Sequence, residues 1–359
     1  MRWVMLVACV VLAGSASALE RVEVAKDAKG FVLAPSGKAF VPWGLNYGNN
    51  HRLIEDFWDA EWATVEGDWA EMKAMGANVV RVHLQFGKFM KSADRPSEKS
   101  LALLAKLLAL SEKAGIYVDV TGLACYRKAD VPGWYDSLSE TDRWAAQAVF
   151  WRAVAKVGAK SNAVFCYDLM NEPITAGGKR AAGAWYSGKT LGEYDFIQVL
   201  SLDQGGRKRE EVGRDWIRQM TKAIRAEDAK GLITVGLLPK VPKWGHMSGF
   251  DPKTTAAEVD FMCVHVYPET GKVAEALAMI KEFQVGKPLV IEETFNLSCG
   301  MPDLIEFIKG SRGTACGWVG HYDGHTVEDT DAFEKAGKMT MPQGVYREFL
   351  KWFRTGVPE

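Results

Sequence analysis

Two glutamates stand where paired carboxyl groups could do chemistry. Tyr167-Asp168-Leu169-Met170-Asn171-Glu172-Pro173 is an apolar run ending in Asn-Glu-Pro, and Leu289-Val290-Ile291-Glu292-Glu293-Thr294 is another ending in acid. Each places a carboxylate at the C-terminal end of a strand-like segment. In a closed parallel barrel such ends converge on one face, so side chains far apart in sequence can meet across a pocket. A carboxyl that protonates a departing oxygen, facing one that attacks an anomeric carbon, is the equipment of glycoside hydrolysis; a separation of about 5–5.5 Å selects the retaining route. On this reading Glu172 is the general acid/base and Glu293 the nucleophile. Asn-Glu-Pro alone is weak evidence, because Asn and Pro are ordinary turn formers after a strand. Strand alternation that turns Glu293 into the pocket sends Glu292 toward the outer helices.

The elements that must hold such a pair are legible from end to end. Eight short β-branched runs lie near Phe40 to Asn46, Asn78 to Leu84, Ile116 to Gly122, Ala163 to Leu169, Leu232 to Leu237, Asp260 to Tyr267, Leu289 to Thr294 and Cys316 to Gly320. Segments of helical period separate them: Val65, Trp69, Met72 and Met75 recur before Gly76, and Leu101, Leu104, Leu107 and Leu108 before Gly115. A third helix is expected after Ser137, with Glu140 completing a capping box. Later helices are expected around Val212 to Ile224, Val273 to Phe283, Pro302 to Ile308 and Val345 to Phe353. Strands alternating with helices, eight times, predict an α/β chain folded as a single (β/α)8 TIM barrel. Its one long connection follows the fourth strand, from Ile174 to about Arg207, and carries Trp185, Tyr186, Tyr194 and Phe196. Those aromatics suit either a wall for sugar rings or packing of the loop on itself.

With these residues in view, the chain resembles glycoside hydrolase family 5, the cellulase and mannanase family of clan A, over essentially its whole length after residue 18. The resemblance implies that Glu172 is the acid/base, that Asn171 binds the 2-hydroxyl of the cleaved sugar, and that Glu293 is the nucleophile. Arg81 in Val80-Arg81-Val82-His83 is similar to the family's strand-two arginine, which would bond the nucleophile. His265 and Tyr267 resemble the strand-six His-x-Tyr pair, and Trp318 the strand-eight tryptophan that forms a platform beneath the sugar. Many members carry a histidine at the end of strand three, where this chain reads Val118-Asp119-Val120-Thr121-Gly122-Leu123; His83 is the candidate to replace it. Further sugar-contact candidates are Asn46 and Tyr47 after strand one, Tyr126 and Trp134 after strand three, and His321, Asp323 and His325 after strand eight. No metal or organic cofactor is implied; the substrate is a β-linked polysaccharide or oligosaccharide of β-glucan or β-mannan type.

Composition bounds the rest. The chain has 359 residues and a formal net charge of −1, with no basic cluster to attract nucleic acid or an anionic membrane. Arg2, the apolar run Val4 to Ala13 and Ala16-Ser17-Ala18 read as an export signal over residues 1–18, leaving 19–359 as one catalytic domain, secreted or periplasmic and monomeric. That run is shorter than the roughly 20 residues a membrane span needs. Five cysteines remain after residue 18, an odd number; Cys125 and Cys299, nearer loops, are the candidates for a bridge. Three other readings of the sequence point elsewhere. Gly183 to Thr190 matches the phosphate-loop pattern, but no apolar strand leads into it. His321, Asp323 and His325 could serve a metal-assisted hydrolase. A carbohydrate-binding barrel without catalysis is the third, and the presence of both glutamates argues against it.

Overall fold

The computed structural model describes residues 19–186, 193–240 and 248–357. Each β-branched run forms a parallel strand: β1 (Trp43–Gly48), β2 (Val79–Gln85), β3 (Tyr117–Ala124), β4 (Val164–Asn171), β5 (Leu232–Leu237), β6 (Met262–His265), β7 (Leu289–Glu293) and β8 (Gly317–Asp323). Neighbours in sequence pair in parallel and β8 closes onto β1, so this sheet has no edge. Around it run α1 (Trp62–Ala74), α2 (Glu98–Ala114), α3 (Glu140–Gly158), α4 (Arg209–Arg225), α5 (Pro252–Ala256), α6 (Val273–Lys281), α7 (Met301–Ser311) and α8 (Met341–Phe353). This is the (β/α)8 barrel that the alternation of periods predicts.

Local chemistry explains where the helices begin and stop. Val65, Trp69 and Met72 of α1 and Leu104, Leu107 and Leu108 of α2 are buried on the face toward the sheet. Ser97 caps α2 by accepting the Ser100 amide, and Gly115 ends it at φ +66°, a conformation that suits a residue without Cβ. For α3 the expected cap is wrong by two residues. Ser137 belongs to the end of a short helical turn, Gly133–Asp136, and its hydroxyl donates to Trp134 O; Ser139 accepts the Asp142 amide instead. Glu140 is therefore the first helical residue and cannot close a box with Ser137.

The barrel interior changes character along its axis. At the N-terminal ends of the strands, Val79, Tyr117, Phe165, Phe261, Val290 and Val319 form an apolar cluster. A hairpin unforeseen in the sequence closes it from below: Arg21–Val24, Phe31–Ala34 and Ala39–Phe40 form an antiparallel sheet. Phe31 meets Phe165 and Phe261 edge-on, and Phe40 meets Tyr117 in the same way. Higher up, the buried residues turn polar, with Arg81, Asp119, Thr121, Asp168 and Glu292 all enclosed. Polar groups are thus gathered toward the C-terminal ends of the strands, where a barrel presents its site.

The long connection packs against two other parts of the chain. Trp185 donates its indole N–H to Asp136 O, and the Tyr186 hydroxyl donates to Asp136 Oδ1, so this half packs on the segment before α3. Tyr194 donates to His51 O beyond β1, and Phe196 stands edge-on to Tyr126, so the other half lies over the strand ends. The phosphate-loop match starts inside this connection, with no strand over residues 177–182; its residues 187–190 lie outside the described residues, as does the expected export signal at 1–18. All five described cysteines are free, so Cys125 and Cys299 form no bridge. Among the described residues no helix is long and apolar enough to cross a membrane.

Candidate active site

Glu172 is the first residue beyond β4, and it leaves the strand in the left-handed region at φ +47°, uncommon for a residue with a side chain. Its amide donates to Gly236 O of β5, which anchors the turn. Glu293 is the last residue of β7. One oxygen of each carboxyl, together with a ring nitrogen of His265, lie within 4.8 Å of one another. His265 Nδ1 is 3.0 Å from Glu172 Oε1 and 3.6 Å from Glu293 Oε2, so the imidazole of β6 stands between the two acids.

Glu293 is gripped from both sides. Arg81 Nη1 donates to its Oε1 at 2.5 Å and the Tyr267 hydroxyl to its Oε2 at 2.6 Å. The same guanidinium reaches Asn46 Oδ1 at 2.9 Å, Asp168 Oδ2 at 2.8 Å and Asn171 Oδ1 at 3.1 Å, tying β1, β2, β4 and β7 together. Burial opposes ionisation of Glu293, but the positive His265 and Arg81 outweigh it and hold its carboxyl far below the usual carboxylate range. Burial likewise opposes a charged His265, yet Glu293 and hydrogen bonds to Glu172 and Glu292 push it up to about 10. Two further histidines of the pocket go the opposite way. Burial, with Arg81 nearby, brings His321 down to about 4 and His83 well below an ordinary imidazole. Tautomers follow from the partners. Tyr267 gives its proton to Glu293, so it accepts from His321 Nε2 at 3.0 Å. His83 Nε2 donates to Asn46 Oδ1 at 3.1 Å, leaving Nδ1 to accept from the Tyr126 hydroxyl at 2.5 Å.

Of the residues singled out in the sequence, Glu172, Glu293, Arg81, His83, Asn171, His265, Tyr267, Asn46, Tyr126 and His321 share this one pocket. Three expectations, those for Trp318, Tyr47 and Glu292, are overturned. Trp318 faces outward, donating its indole N–H to Ser311 Oγ of α7 at 2.8 Å, because Val319 takes the inward position on β8 and alternation then brings His321 inward. Tyr47 also faces outward: its hydroxyl bonds Asp68 Oδ2 of α1 and its ring stands against Trp69. Trp134 packs on Phe86 and Tyr135 beside the short turn before α3. Glu292 points inward, not toward the helices. On β6 and β7 the register runs Val264 with Ile291, then His265 with Glu293, so one residue of β7 is extra and both glutamates enter the barrel.

Sequence reasoning missed the groups beneath the pair. Asp168 accepts from Arg81, from Thr121 Oγ1 at 2.8 Å and from the Gly236 amide at 2.7 Å. Asp119 lies beside Glu292 in the same interior. The signal that could have found both is an acid set inside an otherwise apolar strand, where burial demands a partner. His321, Asp323 and His325 do not converge: His321 serves the pocket, Asp323 accepts the His51 amide, and His325 stands against Phe333. They are not among the described clusters able to hold a metal ion.

No curated protein matches the chain. Among solved structures, the exo-beta-1,4-mannosidase Op5Man5 from Opitutaceae bacterium strain TAV5 is 14% identical with a TM-score of 0.65 over 93% of this chain, which spans 62% of that protein's length. A GH5_18 protein from Streptomyces cattleya in complex with Manb1-4GlcNAc is 16% identical with a TM-score of 0.61, covering 89% of this chain and 82% of its own. The endo-1,4-beta-mannanase from Rhizomucor miehei is 15% identical with a TM-score of 0.59, covering 84% of this chain and 90% of its own. At these identities the likeness is one of fold. Family membership rests on residues 35–295, from before β1 to beyond Glu293, which match Cellulase (glycosyl hydrolase family 5). That stretch is most of the sequence, and the chain belongs to this family of glycosyl hydrolases.

Proposed function

We propose that the chain is a retaining glycosidase that cleaves β-linked gluco- or manno-configured glycans by double displacement, with Glu293 as nucleophile and Glu172 as acid/base. The observation that carries this reading is the approach of the two carboxyls to within 4.8 Å at the ends of β4 and β7. It fits the roughly 5–5.5 Å of retaining enzymes and not the roughly 6.5–9.5 Å that leaves room for an attacking water.

Glu293, held ionised by Arg81, attacks the anomeric carbon while the acid form of Glu172 protonates the departing oxygen. The glycosyl ester removes the negative charge of Glu293, and Glu172, now a carboxylate, takes a proton from the water that hydrolyses the ester. Asn171 Nδ2, which donates to Phe196 O at 3.2 Å, is the amide offered to the 2-hydroxyl of the sugar. His321, bonded to Tyr267, and Tyr126, bonded to His83, are further side chains offered to the sugar. Three solved structures of this fold are named for a mannosidase, a mannanase and a bound Manb1-4GlcNAc, which favours a manno-configured substrate. The export pattern at 1–18 suits an enzyme that meets such glycans outside the cytoplasm.

The test is direct. Glu293→Gln is expected to abolish turnover with the fold unchanged. Glu172→Ala should slow natural glycans by about 10²–10⁴-fold while sparing glycosyl transfer from aryl glycosides whose leaving group needs no proton. Proton NMR of the first product should show the β-anomer; an initial α-anomer would sink the double displacement. Product sizing on a polysaccharide panel identifies the glycan and the mode of attack.

A further inference from the structure

Beneath the pair lies a second couple of carboxyl groups that the hydrolytic steps leave unused. Asp119 of β3 and Glu292 of β7 are 1% and 0% exposed, and one oxygen of each lies within 4.8 Å of the other and of the Cys166 sulfur on β4. Asp119 Oδ1, Asp119 Oδ2 and Glu292 Oε1 meet no hydrogen-bond partner among the described residues. Two bare carboxylates face to face in a dry core would repel each other, and three of their four oxygens would lack the hydrogen bonds that buried charge requires. One proton between them removes both difficulties, since an acid O–H can donate to a carboxylate.

We propose that Asp119 and Glu292 share one proton, with Asp119 the neutral acid donating to Glu292 Oε1, and that this couple positions the acid/base through His265. Position assigns the proton. Glu292 Oε2 lies 3.3 Å from His265 Nε2 and 3.7 Å from Arg81 Nη2, two positive groups that favour the anion there. Asp119 has no ion pair among the described residues. Burial and the charge of Glu292 raise Asp119 well above the carboxylate range; Glu292, against its own burial, is drawn down by Arg81 and His265.

The couple acts through a continuous chain. Asp119 fixes Glu292 at one oxygen, and Glu292 accepts from His265 Nε2 at the other. His265 Nδ1 then donates to Glu172 Oε1, which leaves Oε2 free for the departing oxygen. The extra residue on β7 makes this possible by turning Glu292 inward beside Glu293. Neither Asp119 nor Glu292 touches substrate; both are positioning residues, and this effect on turnover rests on the acid/base reading of Glu172.

Infrared difference spectroscopy of the resting full-length protein against Asp119→Asn tests the shared proton without any turnover. The wild type is expected to show a carbonyl band of a buried protonated carboxyl that shifts in D₂O and is missing from the variant. No such difference band would overturn the proposal, as would a cation bound between the two groups. In kinetics, Asp119→Ala is expected to lower kcat about tenfold or more with KM little changed on glycans that need leaving-group protonation, and less on activated aryl glycosides. Asp119→Asn, whose amide N–H still donates to Glu292, should recover most of that loss. If Asp119→Ala does not fold, the band and Asp119→Asn decide: a tenfold or greater loss in Asp119→Asn overturns the positioning role. A protein that shows the band but cleaves no glycan would sink the assignment of Glu172 and leave the proton between Asp119 and Glu292 standing.

Discussion

His265 faces three carboxyl groups at once, with Nδ1 3.0 Å from Glu172 and 3.6 Å from Glu293 and Nε2 3.3 Å from Glu292. Those charges outweigh its burial and carry its proton affinity from 6.5 up to about 10. The consequence for stability has a definite sign. A group that binds its proton more tightly in the folded state stabilises fully below its unfolded value, and that contribution is lost as pH rises through the folded value. The difference in urea-unfolding free energy between wild type and His265→Gln is therefore expected to be largest below pH 6.5. It should shrink toward pH 10 with a slope no steeper than about 1.4 kcal/mol per pH unit. A difference independent of pH across that window would show that the imidazole is not held charged.

At the scale of the element, β5 matters for what it lacks. Gly236 faces the pocket, and a Cβ there would stand 2.7 Å from His265 Nε2 and 2.8 Å from Glu292 Oε2. Its backbone also serves the site, since its amide donates to Asp168 and its carbonyl accepts from Glu172. Glycine in a strand marks such close approach. Gly236→Ala should accordingly displace His265, lowering kcat on natural glycans about tenfold or more and destabilising the fold by about 1–3 kcal/mol, the usual cost of overpacking. Unaltered kinetics in a folded variant would remove the steric argument. The eight barrel strands and seven of the eight helices around them were legible from period alone, because an amphipathic face or a β-branched run is local information; the short α5 and the hairpin beneath the barrel were not. The inward turn of Glu292 was not, because it depends on how β7 registers against β6.

For the molecule as a whole, the polar site at one end of the barrel stands on an apolar floor at the other. The hairpin at Arg21–Ala34 supplies that floor, with Phe31 2% exposed and in edge contact with Phe165 and Phe261. Phe31→Ala is expected to cost about 3–5 kcal/mol, read as a lower urea midpoint, since the rings around it belong to a closed barrel that cannot collapse into the space. Because the floor lies at the opposite end from Glu172 and Glu293, kcat of the folded variant should match the wild type. Loss of activity without loss of stability would mean the two ends are coupled.

By itself the sequence determined the barrel, the strand on which each principal acid sits and the meeting of Glu172 with Glu293. These follow from counting periods and from the convergence of parallel strand ends, which is indifferent to detail. Only the tertiary structure decided which neighbour of each pair looks inward: Glu292 joins Glu293, His321 displaces Trp318, and Asn46 serves the pocket while Tyr47 packs on α1. Side-chain direction at a strand end is set by register with the next strand, and that register is a property of two distant segments at once. The same non-local packing brings Asp119 to Glu292 and Phe31 beneath the barrel.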